Sequence, residues 1–167
     1  MKLEKYREKR KFNHTKEPQG RRRKNVKGHL IFVIHKHAAT NLHYDLRLEM
    51  EKVLKSWAIP KGPSLNPEER RLAIMVEDHP FDYKEFEGII PEGNYGAGEV
   101  IIWDEGTYYV KKGLTKSQNE KLLIKGLDKG HISFYLEGKK LTGQFSLIRI
   151  PSRGENAWML VKKKDIQ

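Results

Sequence analysis

The sequence predicts a mainly β fold: a compact, closed or nearly closed β-barrel with one or two short flanking helices. Three observations point there. Short runs of alternating or β-branched residues recur at regular spacing, separated by glycine, proline and asparagine turns. A single stretch, residues 117–127, has the spacing and end signals of a convincing helix. The 167 residues contain no internal repeat and suit one domain large enough to bury its own core.

Taken in order, residues 1–28 are polar and basic, with RRRK at 21–24. They read as an arm, ordered around Tyr6 and Phe12, that contributes to a site on the barrel domain of residues 29–167. Residues 30–34 are a short β-prone run, 42–50 alternate, and 53–59 (VLKSWAI) form a strand ended by Pro60. KGPSLNPEE at 61–69 is a loop; 71–76 is a strand, followed by a polar break, EDHP, at 77–80. Residues 82–87 are ambiguous. The glycines of IIPEGNYGAGEV turn the chain into a strand at 100–103, with 107–110 as its hairpin partner across 104–106. In the helix, Ser117 is the expected N-cap with Glu120 three residues later, and Gly126 and Gly130 lie near its end. Strands at 132–136, 144–150 and 158–161 complete the barrel.

The formal net charge is +11, and its placement matters more than its size. Residues 1–27 hold 12 Lys/Arg against 3 Asp/Glu, whereas the remainder holds 21 against 19. A basic arm on a balanced body is an electrostatic footprint of nucleic-acid binding; a solvated tail has the same composition. The absence of cysteine excludes disulfides, thiolate ligands and a cysteine nucleophile. No apolar run approaches ~18 residues, and the basic N-terminus lacks the apolar stretch of a signal peptide. A cytoplasmic monomer with no membrane contact is expected.

The chemistry concentrates in HKHAATNLHYDLRLEM, residues 35–50. On a strand, His43, Asp45 and Arg47 share one face, while Tyr44, Leu46, Leu48 and Met50 share the other. A buried face of that composition is costly unless something binds there. His37 precedes His43 by a gap long enough for a turn that brings the two imidazoles together. Two imidazoles and a carboxylate suit manganese, zinc or iron, and Arg47 beside them suits a phosphate oxygen. Spacing alone leaves metal binding and a solvated polar strand face both open. His35 shares the parity of His37 and reads as a neighbour of the site or a fourth ligand.

Other groups are less specific. His79 in EDHP is either a turn residue or a group that bonds or protonates a phosphoryl oxygen. Lys61 and Arg71 stand at strand boundaries, as surface charges or as phosphate contacts. Trp57, Trp103 and Trp158 lie in apolar strand text and read as core. PEGNYGAGE at 91–99 is not a phosphate-cradling P-loop, because no Lys-Ser/Thr and no helix follow. No serine sits in a glycine elbow, so a serine triad is excluded too.

Several phrases together resemble the 3′-phosphoesterase domain of the bacterial multifunctional DNA ligase of non-homologous end joining, and its stand-alone relatives. They are HKH-x5-HYD-x-R, SWA-x-PKGPS, VEDHP, IPEG-x-YG and the N-terminal YREKRKFNHTKEP. The resemblance runs from Tyr6 to Val161, and the chain looks like a stand-alone member. It implies a β-barrel and a manganese-dependent activity on a DNA primer–template, with Zn2+ or Co2+ as replacements. That activity removes a 3′-terminal ribonucleoside, then the 3′-phosphate, leaving a 3′-hydroxyl for a ligase or polymerase of end joining. By motif match His37, His43 and Asp45 correspond to metal ligands, and Arg47 and His79 to phosphate contacts. Lys61, Arg71, Tyr83, Arg10 and Glu17 occupy positions the family also uses. Two departures stand out: Lys11 replaces an aspartate that supports activity, and His35 replaces a more usual glutamine. Alternative readings are a nucleic-acid-end adaptor with a structural metal and a general metal-dependent nuclease.

Overall fold

The computed structural model describes residues 3–20 and 28–165; the RRRK run at 21–24 lies outside them. Among the described residues there are nine strands: β1 Leu30–Ala38, β2 Leu42–Met50, β3 Val53–Ile59, β4 Arg70–Pro80, β5 Gly88–Ile90, β6 Gly98–Tyr109, β7 His131–Gly138, β8 Thr142–Arg149 and β9 Ala157–Lys162. Eight follow one another in the order β1-β2-β3-β4-β9-β8-β7-β6, and pairing of β6 with β1 closes the barrel. The short β5 lies outside the ring against the start of β6. The pairings are antiparallel, so closure leaves the barrel no free edge. No helix of the described residues is long and apolar enough to cross a membrane.

The side chains of one parity fill the barrel. Phe32 and Ile34 of β1, Leu46 and Leu48 of β2, Trp57 of β3 and Phe145 of β8 are essentially inaccessible to solvent. Each contributes about 1.5–3 kcal/mol by leaving water. The helix α2, Lys116–Lys129, adds Leu123 and Leu127 to that core. A second, smaller core lies on the outer wall. It unites Val33, Leu54 and Val100 of the barrel with Phe81, Tyr83 and Phe86 of the segment after β4, and with Tyr6 of the arm. Tyr6 belongs to the short helix α1, Glu4–Glu8, and its hydroxyl donates to the Pro18 carbonyl, which folds the arm back on itself.

Two irregularities aim residues at that wall. Leu54 pairs with His79 but Ser56 pairs with Val76, so one extra residue is inserted in β4. Regular pairing would have placed His79 opposite Val53, on the other face of the sheet. The bulge turns His79 outward beside Leu54. EDHP is therefore not a break: β4 runs through it to Pro80. A second register shift, between Ile34 and His35, lies in the β1–β6 pairing.

The expected hairpin at 100–110 does not form; β6 is one strand of 12 residues. The apparent turn residues serve other purposes. Asp104 is buried and accepts the amides of Lys139, Lys140 and Leu141 at 2.8, 3.2 and 2.8 Å, pinning the β7–β8 turn. At Gly106 a Cβ would lie 2.0 Å from the Glu137 carbonyl oxygen, so close strand approach demands glycine. The N-cap of α2 is Thr115 rather than Ser117. Its hydroxyl accepts from Gln118 and its amide donates to the Gln118 side chain, at 3.1 and 2.9 Å. Glu120 instead accepts the Glu51 amide at 2.8 Å in the β2–β3 turn.

Gly106→Ala should therefore lower the unfolding free energy by about 1–3 kcal/mol. A urea titration of both proteins measures this, and an unchanged midpoint would show that β6 and β7 separate there without cost.

A candidate metal centre on the outer wall

The β1–β2 hairpin places His37 directly opposite His43, and His35 opposite Asp45. The two imidazole centroids are 4.7 Å apart. Asp45 Oδ2 lies 3.3 Å from His43 Nε2 and 3.7 Å from His37 Nδ1. The far side of each ring is held by backbone: His37 Nε2–H donates to the Gly96 carbonyl at 2.7 Å, and His43 Nδ1–H to the Asn41 carbonyl at 3.1 Å. Those bonds leave His37 Nδ1 and His43 Nε2 as lone pairs facing a carboxylate. Three acceptors within 4.8 Å of one another call for a shared positive charge.

The electrostatics of His43 and Asp45 point to the same demand. Hydrogen bonding to Asp45 raises the His43 pKa, against the opposing effect of burial. Burial also works against ionised Asp45, but Arg47 and the two imidazoles outweigh it and hold the carboxyl far below its usual range. Two neutral imidazoles and one carboxylate, open toward a cavity of about 280 Å³, fit a hard or borderline divalent ion. His35 is not a fourth ligand. Its Nδ1 accepts from Arg47 Nε at 3.1 Å and its Nε2–H donates to the Phe86 carbonyl at 3.1 Å, so both nitrogens are engaged.

Arg47 is the neighbour of the ligand set. Beyond His35, its Nη1 donates to Ser56 Oγ at 2.9 Å and its Nη2 lies 3.4 Å from Asp45 Oδ2. The guanidinium sits 4.8 Å from the centroid of the Tyr83 ring. The Tyr83 hydroxyl, pushed well above its ordinary pKa by burial, donates to Glu17 Oε2 at 2.7 Å. Glu17 also accepts Arg10 Nε at 2.9 Å. Arg10 thus enters from the arm and reaches Glu77 through Nη1 at 3.3 Å and His79 Nε2 through Nη2 at 3.3 Å. Nδ1–H of His79 donates to the Glu77 carbonyl at 2.9 Å, leaving Nε2 as the acceptor for Arg10. Burial, with Arg47 and Arg10 beside it, holds the His79 pKa well below the ordinary value.

The fold therefore gathers Arg10, Glu17, His37, His43, Asp45, Arg47, His79 and Tyr83 around one cavity. It does not bring Lys61 or Arg71 into that cavity's wall. Lys61 is exposed in the turn after β3. Arg71 has the parity of Ala73, which faces the barrel interior, and pairs with Glu69 at 3.3 Å. Four contributors were missed from sequence: Ser56, Glu77, Tyr95 and Gly96. Ser56 carried a usable signal, since it alternates with inward-facing Trp57 in a strand flanked by the site strands. The others depend on loop and bulge geometry.

The site is thus a histidine–carboxylate cluster with a buried arginine beside it, on the outer wall of a closed antiparallel barrel. Residues 35–149 match the model of the DNA ligase D 3′-phosphoesterase domain, and the chain belongs to that family. It is 51% identical over 165 residues to the multifunctional non-homologous end joining protein LigD of Pseudomonas aeruginosa, covering 98% of this chain and 19% of that protein. Identity to the Mycolicibacterium smegmatis protein of the same name is 40% over 164 residues, covering 98% and 21%. The LigD DNA repair protein of Mycobacterium tuberculosis is 42% identical over 134 residues, covering 80% and 16%. The chain spans about a fifth of the length of these relatives.

Burial and Arg47 push the His35 pKa down to about 3, from ~6.5 in an unfolded chain. A depressed folded value means that His35 stabilises fully above ~6.5 and loses that contribution as pH falls toward 3. His35→Gln keeps one donor and one acceptor but does not titrate. Measured by urea unfolding in chelator, it should lessen the acid loss of stability between pH 6.5 and 4.5 by roughly 1 kcal/mol per pH unit. Equal pH slopes in both proteins would refute the assignment.

Proposed function

We propose that the protein is a metal-dependent 3′-end-processing phosphoesterase, with Mn2+ as the cofactor and Zn2+ or Co2+ as replacements. It would remove a 3′-terminal ribonucleoside from a DNA primer–template and then remove the 3′-phosphate. The observation that carries the metal is the charge of the cavity. Its wall holds two guanidinium groups, Arg10 and Arg47, and three carboxylates, Glu17, Asp45 and Glu77, with the Lys9 ammonium bonded to Glu77 at 3.2 Å from the rim. With neutral imidazoles those charges cancel, and a divalent ion on His37, His43 and Asp45 makes the site net positive for a phosphate. Bound there, the ion would supply Lewis-acid polarisation of the phosphoryl group.

The chain's own residues supply the rest. Arg47, locked by His35, Ser56 and Tyr83, is preorganised to meet non-bridging oxygens without reorganising during reaction. Its neighbour His79 is a neutral acceptor in the substrate-free site, because burial and then two guanidinium groups oppose its protonation. A phosphate docked between them cancels that field, and Nε2 can then hold a proton for the departing oxygen. In the first step water attacks phosphorus and the bond to the 5′-oxygen of the terminal ribonucleoside breaks. In the second, water attacks again and the bond to the primer 3′-oxygen breaks, leaving a 3′-hydroxyl. The family, and relatives named for non-homologous end joining, support DNA ends as the substrate and a ligase or polymerase as the consumer of the product.

A primer–template ending in one 3′-ribonucleotide, incubated with and without Mn2+ and resolved at single-nucleotide resolution, tests this directly. Wild type should yield a 3′-phosphate and then a 3′-hydroxyl end; His37→Ala should yield neither. Cleavage at internal positions would point to a general nuclease, and metal-dependent stability without turnover to an adaptor. A separate test concerns the RRRK run at 21–24. Changing all four residues to serine should make DNA binding less sensitive to salt, by about one unit of log–log slope for each phosphate the run neutralises. An unchanged slope would make the run a solvated tail.

A further inference from the structure

The loop between β5 and β6, residues 91–97, carries the glycine-rich run that fails as a phosphate cradle. It nevertheless borders the site. The Gly96 carbonyl holds His37, and Tyr95, one residue earlier, sets its ring in the wall of the cavity. Tyr95 is 46% exposed, the one aromatic among the large exposed apolar side chains of the described residues. Its exposure is not freedom. The hydroxyl donates to Glu77 Oε1 at 3.4 Å, and Lys9 Nζ and Arg10 Cζ lie 4.8 and 5.2 Å from the ring centroid. The backbone under it is fixed as well. Gly96 and Gly98 have φ of +75° and +133°, and a Cβ at Gly98 would sit 2.1 Å from the Ala38 carbonyl oxygen. The loop is thereby strapped to the end of β1, one residue beyond the ligand His37.

A ring held half-exposed at the edge of a charged cavity stands at a set position relative to His37, whose Nε2–H the next residue accepts. We propose that Tyr95 is the stacking platform for the nucleoside base that adjoins the reacting phosphate. This rests on the end-processing reading given above and adds the residue that grips the nucleoside. Stacking accepts any base, which suits an enzyme that must handle ends of any sequence. Lys9 and Arg10 hold the ring from the arm, so one short segment sets both the phosphate pocket and its nucleoside wall.

The test uses a primer whose last base is 2-aminopurine and whose 3′ end is a non-hydrolysable methylenephosphonate, with Mn2+ present. Wild type should bind it more tightly than the same primer with a 3′-hydroxyl, and should quench the 2-aminopurine. Tyr95→Phe should match wild type within about twofold. Tyr95→Ala should bind about tenfold or more weakly, without quenching. An abasic methylenephosphonate end should bind wild type and Tyr95→Ala equally, and Mn2+ affinity by electron paramagnetic resonance should be the same in all three proteins. Unquenched wild-type complexes, or tight binding by Tyr95→Ala, would overturn the platform and leave the end-processing reading intact. Weakened Mn2+ binding by Tyr95→Ala, or a Tyr95→Phe variant as weak as the alanine one, would make the residue a strut for the loop instead. If wild type does not prefer the phosphonate end, the end-processing reading falls and the platform with it.

Discussion

Arg47 is buried to 3% exposure on the outer wall of a barrel, where an unmet guanidinium costs several kcal/mol. Most of the site follows from meeting it. Asp45 supplies the opposite charge, His35 and Ser56 accept two of its donors, and Tyr83 covers its face. Tyr83 can do so because Phe86 and Tyr6 pack beside it, which brings in the segment after β4 and the arm. Its hydroxyl then recruits Glu17, Glu17 recruits Arg10, and Arg10 reaches back to His79. One buried cation thus organises residues from the arm, four strands and the segment after β4. The same cation depresses the Asp45 pKa and keeps the carboxylate ionised.

The closed barrel is what makes this placement rigid. With the interior filled by the apolar parity of each strand, the opposite parity of β1, β2 and β3 is committed to the outer wall. Neighbouring strands hold those side chains at fixed spacing, which loops alone would not. The site needs one residue that regular pairing cannot deliver, and the β4 bulge delivers His79. The arm then packs over the wall through Tyr6 and Arg10, while the cavity stays open beside Tyr95.

Strand periodicity made part of this legible. Alternation in residues 42–50 assigns Asp45 and Arg47 to one face whatever the barrel looks like, and the short turn forces His37 against His43. The helix and most strands are readable from local signals for the same reason. What stayed hidden depends on contacts between distant residues. A one-residue bulge has no compositional signature, so EDHP reads as a break although it is strand. Asp104 and Gly106 look like a turn because their real partners, the amides of 139–141 and the Glu137 carbonyl, lie on another hairpin. Arg10 and His79, 69 positions apart, carry no local mark of their contact. For these two the family resemblance supplied what periodicity could not.

The two positions that depart from the pattern the resemblance implies, 35 and 11, differ in kind once they are placed in the fold. A neutral histidine offers one donor and one acceptor, and so does a glutamine amide in the same direction. His35 uses both, toward Phe86 and Arg47, so the exchange preserves the hydrogen bonding while adding a group that burial keeps neutral. Its effect belongs to stability at low pH rather than to the metal. Lys11 is exposed on the arm one residue past Arg10 and takes no part in the buried network. Reversing a charge there leaves the site's packing untouched. Its charge is presented to solvent, where for a polyanion a lysine is an attraction and an aspartate would repel.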